Sequence, residues 1–70
     1  MEVDDMYCVE VIIEKEKYFL ATLSGTISKS ITDSMIFANE NVAFYYATKI
    51  EDIYSGSLGK VKSLTVKELF

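Results

Sequence analysis

Ser24-Gly25-Thr26-Ile27-Ser28-Lys29-Ser30 sets a glycine, a lysine and a serine in the order used by phosphate-binding loops. In such a loop backbone N–H groups cradle the phosphates and the lysine neutralises them, which requires a second glycine immediately before the lysine. Ser28 stands in that place. A second run, Gly56-Ser57-Leu58-Gly59-Lys60, has two residues between its glycines rather than the four of the loop. It also leaves a helical pattern to enter a strand pattern, the reverse of the order that aims a helix N-terminus at an anion. Both runs read as turns.

Nucleophilic and acid–base chemistry are short of parts. The chain has no histidine, so catalysis would fall to carboxylates, lysine, tyrosine or the single cysteine, Cys8. Cys8 lies in an alternating segment where a buried thiol behaves as a small hydrophobe and is not activated, so a core or interface role fits it better than a nucleophilic one. Glu51 and Asp52 are sequence neighbours, and on a helix they diverge by about 100° rather than converge. One thiol and no histidine cannot assemble an ordinary zinc site. The acidic start, Glu2, Asp4 and Asp5, lacks the glycine-pinned loop of a calcium site. No catalytic residue, metal or cofactor is expected, and an enzyme is not the expected answer.

Recognition chemistry is better supplied. Phe44 and Tyr45 fall among Thr48, Lys49, Glu51 and Asp52 when residues 40–54 are projected at helical spacing, which places two adjacent aromatics on a polar face. Together with Ile12 and Cys8, expected on the outer face of the first strand, they give more apolar surface than so short a chain can cover, the mark of an intermolecular interface. Glu10 and Glu14, spaced to share one strand face and flanked by Asp4, Asp5 and Glu16, admit two readings. They form a charged outer face, or an acidic row that imitates a nucleic-acid backbone toward a basic protein. The candidate protein-interface residues are thus Phe44, Tyr45, Ile12, Glu10 and Glu14.

The elements that must carry these residues follow from periodicity. From Tyr7 the chain alternates, with Tyr7, Val9, Val11 and Ile13 on one face and Cys8, Glu10, Ile12 and Glu14 on the other, as a half-buried strand does. The charged run Glu14-Lys15-Glu16-Lys17 separates it from a second strand over residues 18–23, whose Phe19, Ala21 and Leu23 share a face, and a hairpin is the simplest connection. Residues 26–32 alternate hydroxyls with Ile27, Lys29 and Ile31, a polar strand or an extended loop. Met35-Ile36-Phe37-Ala38 is a short apolar run expected to enter the core ahead of the helix. Asn39 is a good N-cap, Glu40 suits the positive end of a helix dipole, and no glycine or proline intervenes before Gly56, so a helix is expected over residues 40–54. Its sheet-packing arc holds Val42, Ala43, Tyr46, Ala47, Ile50, Ile53 and Tyr54. After the glycines, residues 60–70 resume as a strand with Val61, Leu64, Val66, Leu69 and Phe70. The fold class is α+β: a small antiparallel sheet of three or four strands packed on one helix, in the order β-β-(β)-α-β.

Composition bounds the rest. The 70 residues form a single domain, with residues 1–6 expected to be flexible, and half of the chain is hydrophobic against 26% charged, a globular balance. A core this small usually needs a disulfide, a metal or a partner subunit, and only the last remains open, so a homo-oligomer is expected. The net charge is −4, and the basic residues are seven lysines with no arginine, which disfavours nucleic acid as a direct partner. Acids dominate residues 1–16 and lysines dominate residues 60–70, so the two ends suit neighbouring strands. No apolar run reaches the 18 residues of a membrane span, the start is acidic where a secretory signal is basic, and the expected compartment is the cytoplasm.

Ile31-Thr32-Asp33-Ser34, Phe37, Ala43, Tyr46-Ala47 and Gly59-Lys60-Val61 together resemble small uncharacterised proteins of phages and prophages of Gram-positive bacteria. The likeness covers residues 7–67: a short hairpin, a threonine-aspartate turn, a phenylalanine before the helix and a glycine-led last strand. Met35-Ile36 departs from the small residue usual before that phenylalanine. The resemblance implies an accessory or inhibitory role through binding host machinery, and with the acidic and aromatic surface of Phe44, Tyr45 and the first strand the leading expectation is a non-enzymatic protein that binds a bacterial host protein and blocks it, a defence nuclease for example. A structural homo-oligomeric module with no heterologous partner is the alternative, and no site residue carries over from the resemblance.

Overall fold

A computed structural model of the chain describes residues 6–64. Its elements are strands β1 (Tyr7–Ile13), β2 (Glu16–Leu20) and β3 (Ile27–Ser28), a short 3-10 turn (Ile31–Asp33), helix α1 (Glu40–Ile53) and strand β4 (Leu58–Ser63). The strands form one antiparallel sheet in the order β3-β2-β1-β4. The α+β class, the antiparallel sheet and its single helix are as the periodicity predicts.

Alternation in β1 explains why it is central. Val9 and Val11 point to α1 and are fully buried, with Tyr7 and Ile13 beside them, while Cys8 points to the other face and is fully buried as well. A strand with fully buried residues on both faces, Val9 and Val11 on one and Cys8 on the other, sits inside the sheet rather than at its edge. β4 supplies one neighbour, pairing Glu10 opposite Lys60 and Cys8 opposite Lys62 as the charge asymmetry of the two ends leads one to expect. β2 supplies the other until it ends at Leu20. Beyond that point Phe37 takes over, exchanging two backbone hydrogen bonds of 2.7 and 2.9 Å with Tyr7.

β2 starts two residues earlier and ends three earlier than the sequence pattern indicates. Glu14 and Lys15 alone make the turn, both at positive φ (51° and 71°), so Glu16 already pairs with Ile13. The register then fixes the faces of β2. Tyr18 and Leu20 meet α1, Phe19 lies on the opposite face beside Cys8, and Thr22–Gly25 turn the chain into β3. Of residues 26–32 only two are strand, and Ile31, with Met6, packs against the cluster of Cys8, Phe19 and Leu64. That second small cluster gives the sheet a buried patch on the side away from the helix.

α1 begins where Asn39 Oδ1 accepts the N–H groups of Asn41 and Val42, and Tyr54 caps its other end, one residue short of the expected span. Ala43, Ala47 and Ile50 form the buried stripe, with Tyr46 and Tyr54 partly buried on its flanks. Val42 and Ile53, expected on that stripe, are about half exposed, because two alanines bring the helix so close that only a narrow arc touches the sheet. β4 begins at Leu58 rather than at residue 60, which puts Gly59 inside the strand against Ala47. The expected strand residues Val66, Leu69 and Phe70 lie outside the described residues, as does most of the N-terminal segment expected to be flexible. Met6, its last residue, packs in the second cluster, and its carbonyl accepts the Leu64 N–H. Among the described residues no helix is long and apolar enough to cross a membrane.

Candidate protein-docking surface

The side of α1 turned from the sheet carries Phe44 and Tyr45, 64% and 57% exposed. Their placement follows from the helix phase, because Ala43 and Ala47 fix the inward stripe and leave the intervening residues to solvent. Tyr45 is held in place. Its ring meets Tyr46 edge-on at 5.1 Å, Tyr46 stacks on buried Phe37 at 5.5 Å, and Lys49 Nζ sits 5.6 Å from the Tyr45 centroid. An aromatic anchored this way loses little rotamer freedom when a partner covers it. Asn41, Phe44, Tyr45, Thr48, Lys49 and Asp52 line one open depression on this face.

Phe44 also belongs to a second groove, shared with Glu40, Asn41, Gly59, Lys60 and Val61, which runs between the first half of α1 and the outer edge of β4. Glu51 reaches the same edge, where its Oε2 accepts the Gly59 N–H at 2.8 Å. Phe44 therefore joins two concavities, one on the helix and one at the sheet margin. Sequence periodicity places Phe44 on the outer helix face, but pairing with the β4 margin depends on sheet order.

The other three candidates are separate from these two. Ile12 faces away from the helix, half-buried between Lys17 of β2 and Leu58 of β4. Glu10 lies on the same face, its side chain 3.6 Å from Lys17 Nζ and directly across from Lys60. Glu14 is in the β1–β2 turn, exposed, and its positive φ takes it off the strand face. The acidic row, one of the two readings of Glu10 and Glu14, is therefore not assembled: Glu10 pairs with Lys17 and Glu14 has left the strand. Cys8, grouped with the outer apolar surface in the sequence, is fully buried beneath Phe19 and Leu64.

At the far margin, Lys29 Nζ donates to Glu16 Oε1 at 2.9 Å and lies 5.5 Å from the Tyr18 ring. That hydrogen bond, and then the Lys29 charge, hold the Glu16 carboxyl below its ordinary range, and Glu16 in turn raises the Lys29 ammonium. This is an exposed ion pair clasping β2 to the segment after β3. Ser28 Oγ donates to Asp33, and Ser30 N–H donates to Ser28 Oγ, so the serines of the lysine-containing run serve its own turn. Among the described residues no group of His, Cys, Asp and Glu is placed to hold a metal ion. The chain matches no protein-family model, no curated protein and no solved structure, so its functional reading rests on its own surfaces.

Proposed function

We propose that this chain is a non-enzymatic, protein-binding accessory protein of the phage type, which acts in the bacterial cytoplasm by docking on a host protein and blocking it. The exposed pair Phe44 and Tyr45 on the outer face of α1 carries the reading. Adjacent aromatics on a rigid helix, one of them fixed against an inner tyrosine, supply the large, low-entropy contact area from which binding hot spots are made.

Replacing both residues by serine tests it. The protein and its F44S/Y45S variant are immobilised and exposed to lysate of a Gram-positive host, and captured chains are identified by mass spectrometry. A discrete partner held by the natural chain and lost from the variant, whose unfolding free energy stays within about 1 kcal/mol of the parent, is the expected result. Equal capture by both would sink the assignment. Leu23, Ile53 and Leu58 are also about half exposed, and this surplus favours a second reading, in which another copy consumes the apolar surface. Light scattering over a concentration series separates the two: a dimer that the double substitution dissociates supports self-association through the same residues.

A further inference from the structure

β4 closes the sheet on the side of Phe44, and its register decides which backbone groups face outward. Leu64 donates to Met6 O at 2.8 Å, while the Gly59 N–H goes to Glu51 rather than to β1. In an antiparallel ladder bonded and non-bonded pairs alternate, so Lys60 and Lys62 exchange bonds with Glu10 and Cys8, and Gly59, Val61 and Ser63 turn their N–H and C=O groups away from the sheet. Glu51 stops the first of these donors. On Val61 and Ser63 the outward groups have no backbone partner among the described residues. A strand edge in this state is a template for another strand.

The side chains around the edge say what kind of strand. Val61 faces the helix side and lines the groove with Phe44, whereas Lys60 and Lys62 project on the opposite face. A residue paired across from Val61 would rest on Phe44, and its two neighbours would face the lysines. A second copy of β4 is a poor match, since pairing it about Val61 sets Lys60 opposite Lys62 of the other copy on both sides, and like charges across a ladder destabilise it.

Building on the protein-binding reading above, we propose that an extended segment of a different protein, with an apolar residue flanked by acidic ones, adds to β4 as a new edge strand. It pairs with Val61 and Ser63, packs its apolar side chain on Phe44 and sets a carboxylate against Lys60. The exposed ring and the open edge are then one site, covered by one ligand.

The probe is a synthetic peptide of about ten residues alternating glutamate and valine, long enough for one strand, with a lysine–valine peptide as its counterpart. The readout is amide hydrogen exchange followed by NMR on the whole chain. The glutamate peptide is expected to slow exchange at Val61 and Ser63, the lysine peptide to leave it unchanged, and Lys60→Thr to weaken binding about fivefold, as loss of one cross-strand charge pair would. Ser63→Pro removes one outward N–H without touching the ladder to β1, and it is expected to abolish protection at Val61 while the other β4 amides stay slow. Perturbation confined to α1, or no binding of the glutamate peptide, overturns strand addition and leaves the capture experiment on Phe44 and Tyr45 to judge protein binding itself. Protection of Val61 and Ser63 that rises with protein concentration without peptide overturns the heterologous occupant in favour of a second copy.

Discussion

Gly59 has no room for a side chain. A Cβ built there would fall within the carbonyl oxygen of Ala47, a backbone group that cannot swing aside, so Gly59→Ala must push α1 off β4. We expect a loss of about 3 kcal/mol, at the upper end for overpacking, seen as a lowered urea midpoint. Gly56, with open space around it, has no such requirement and serves its positive φ of 83°. In the sequence both glycines look like helix terminators, because close packing against a backbone leaves no local signature. The Glu16–Lys29 pair makes a second residue-scale expectation. A carboxyl depressed in the folded state stabilises above its ordinary range and loses that contribution as the pH falls through it. An ammonium raised by the same partner stabilises below its ordinary range and loses that as the pH rises through it. The pair therefore contributes between the carboxylate and lysine ranges, weakly because both groups are exposed to screening solvent. Lys29→Met should flatten the acid limb of a melting-temperature profile at low ionic strength and change nothing at high salt; identical profiles would show that the pair is idle.

The β1–β2 hairpin shows what periodicity can and cannot settle about an element. Alternation from Tyr7 to Ile13 identifies the central strand and both its faces, since each residue type agrees with the position it takes. The turn is hidden, because Glu14 and Lys15 adopt positive φ without the asparagine or glycine that announces a two-residue turn. Missing the turn moves the start of β2 by two residues, which keeps the alternation, so Phe19 still lies opposite Tyr18 and Leu20, and which of the two sets meets the helix is decided by the pairing with β1. Replacing the pair with asparagine and glycine should relieve the left-handed strain and stabilise the chain by about 1 kcal/mol. Urea titration would register it as a higher midpoint at constant slope. A fall in the midpoint would mean that the two side chains make contacts outweighing the strain. The helix was legible for the opposite reason: Asn39, Glu40 and the unbroken run to Gly56 are local signals that no distant pairing has to complete.

At the scale of the whole molecule, the candidate docking surface was half legible. Helical phase alone finds Phe44 and Tyr45, but the strand edge beside Phe44 and the dispersal of Glu10 and Glu14 depend on sheet order and turn geometry, which arise only from long-range pairing. The sheet also divides the apolar interior into two unequal parts, a main core under α1 and a minor one formed by Cys8, Phe19 and Leu64 with Met6 and Ile31. The chain's one thiol sits in the minor part, fully shielded. A thiol reagent can thus act as a clock for that compartment alone. Labelling at the rate of global unfolding would mean that both halves open together, whereas faster labelling would reveal that the back of the sheet breathes while the helix stays docked.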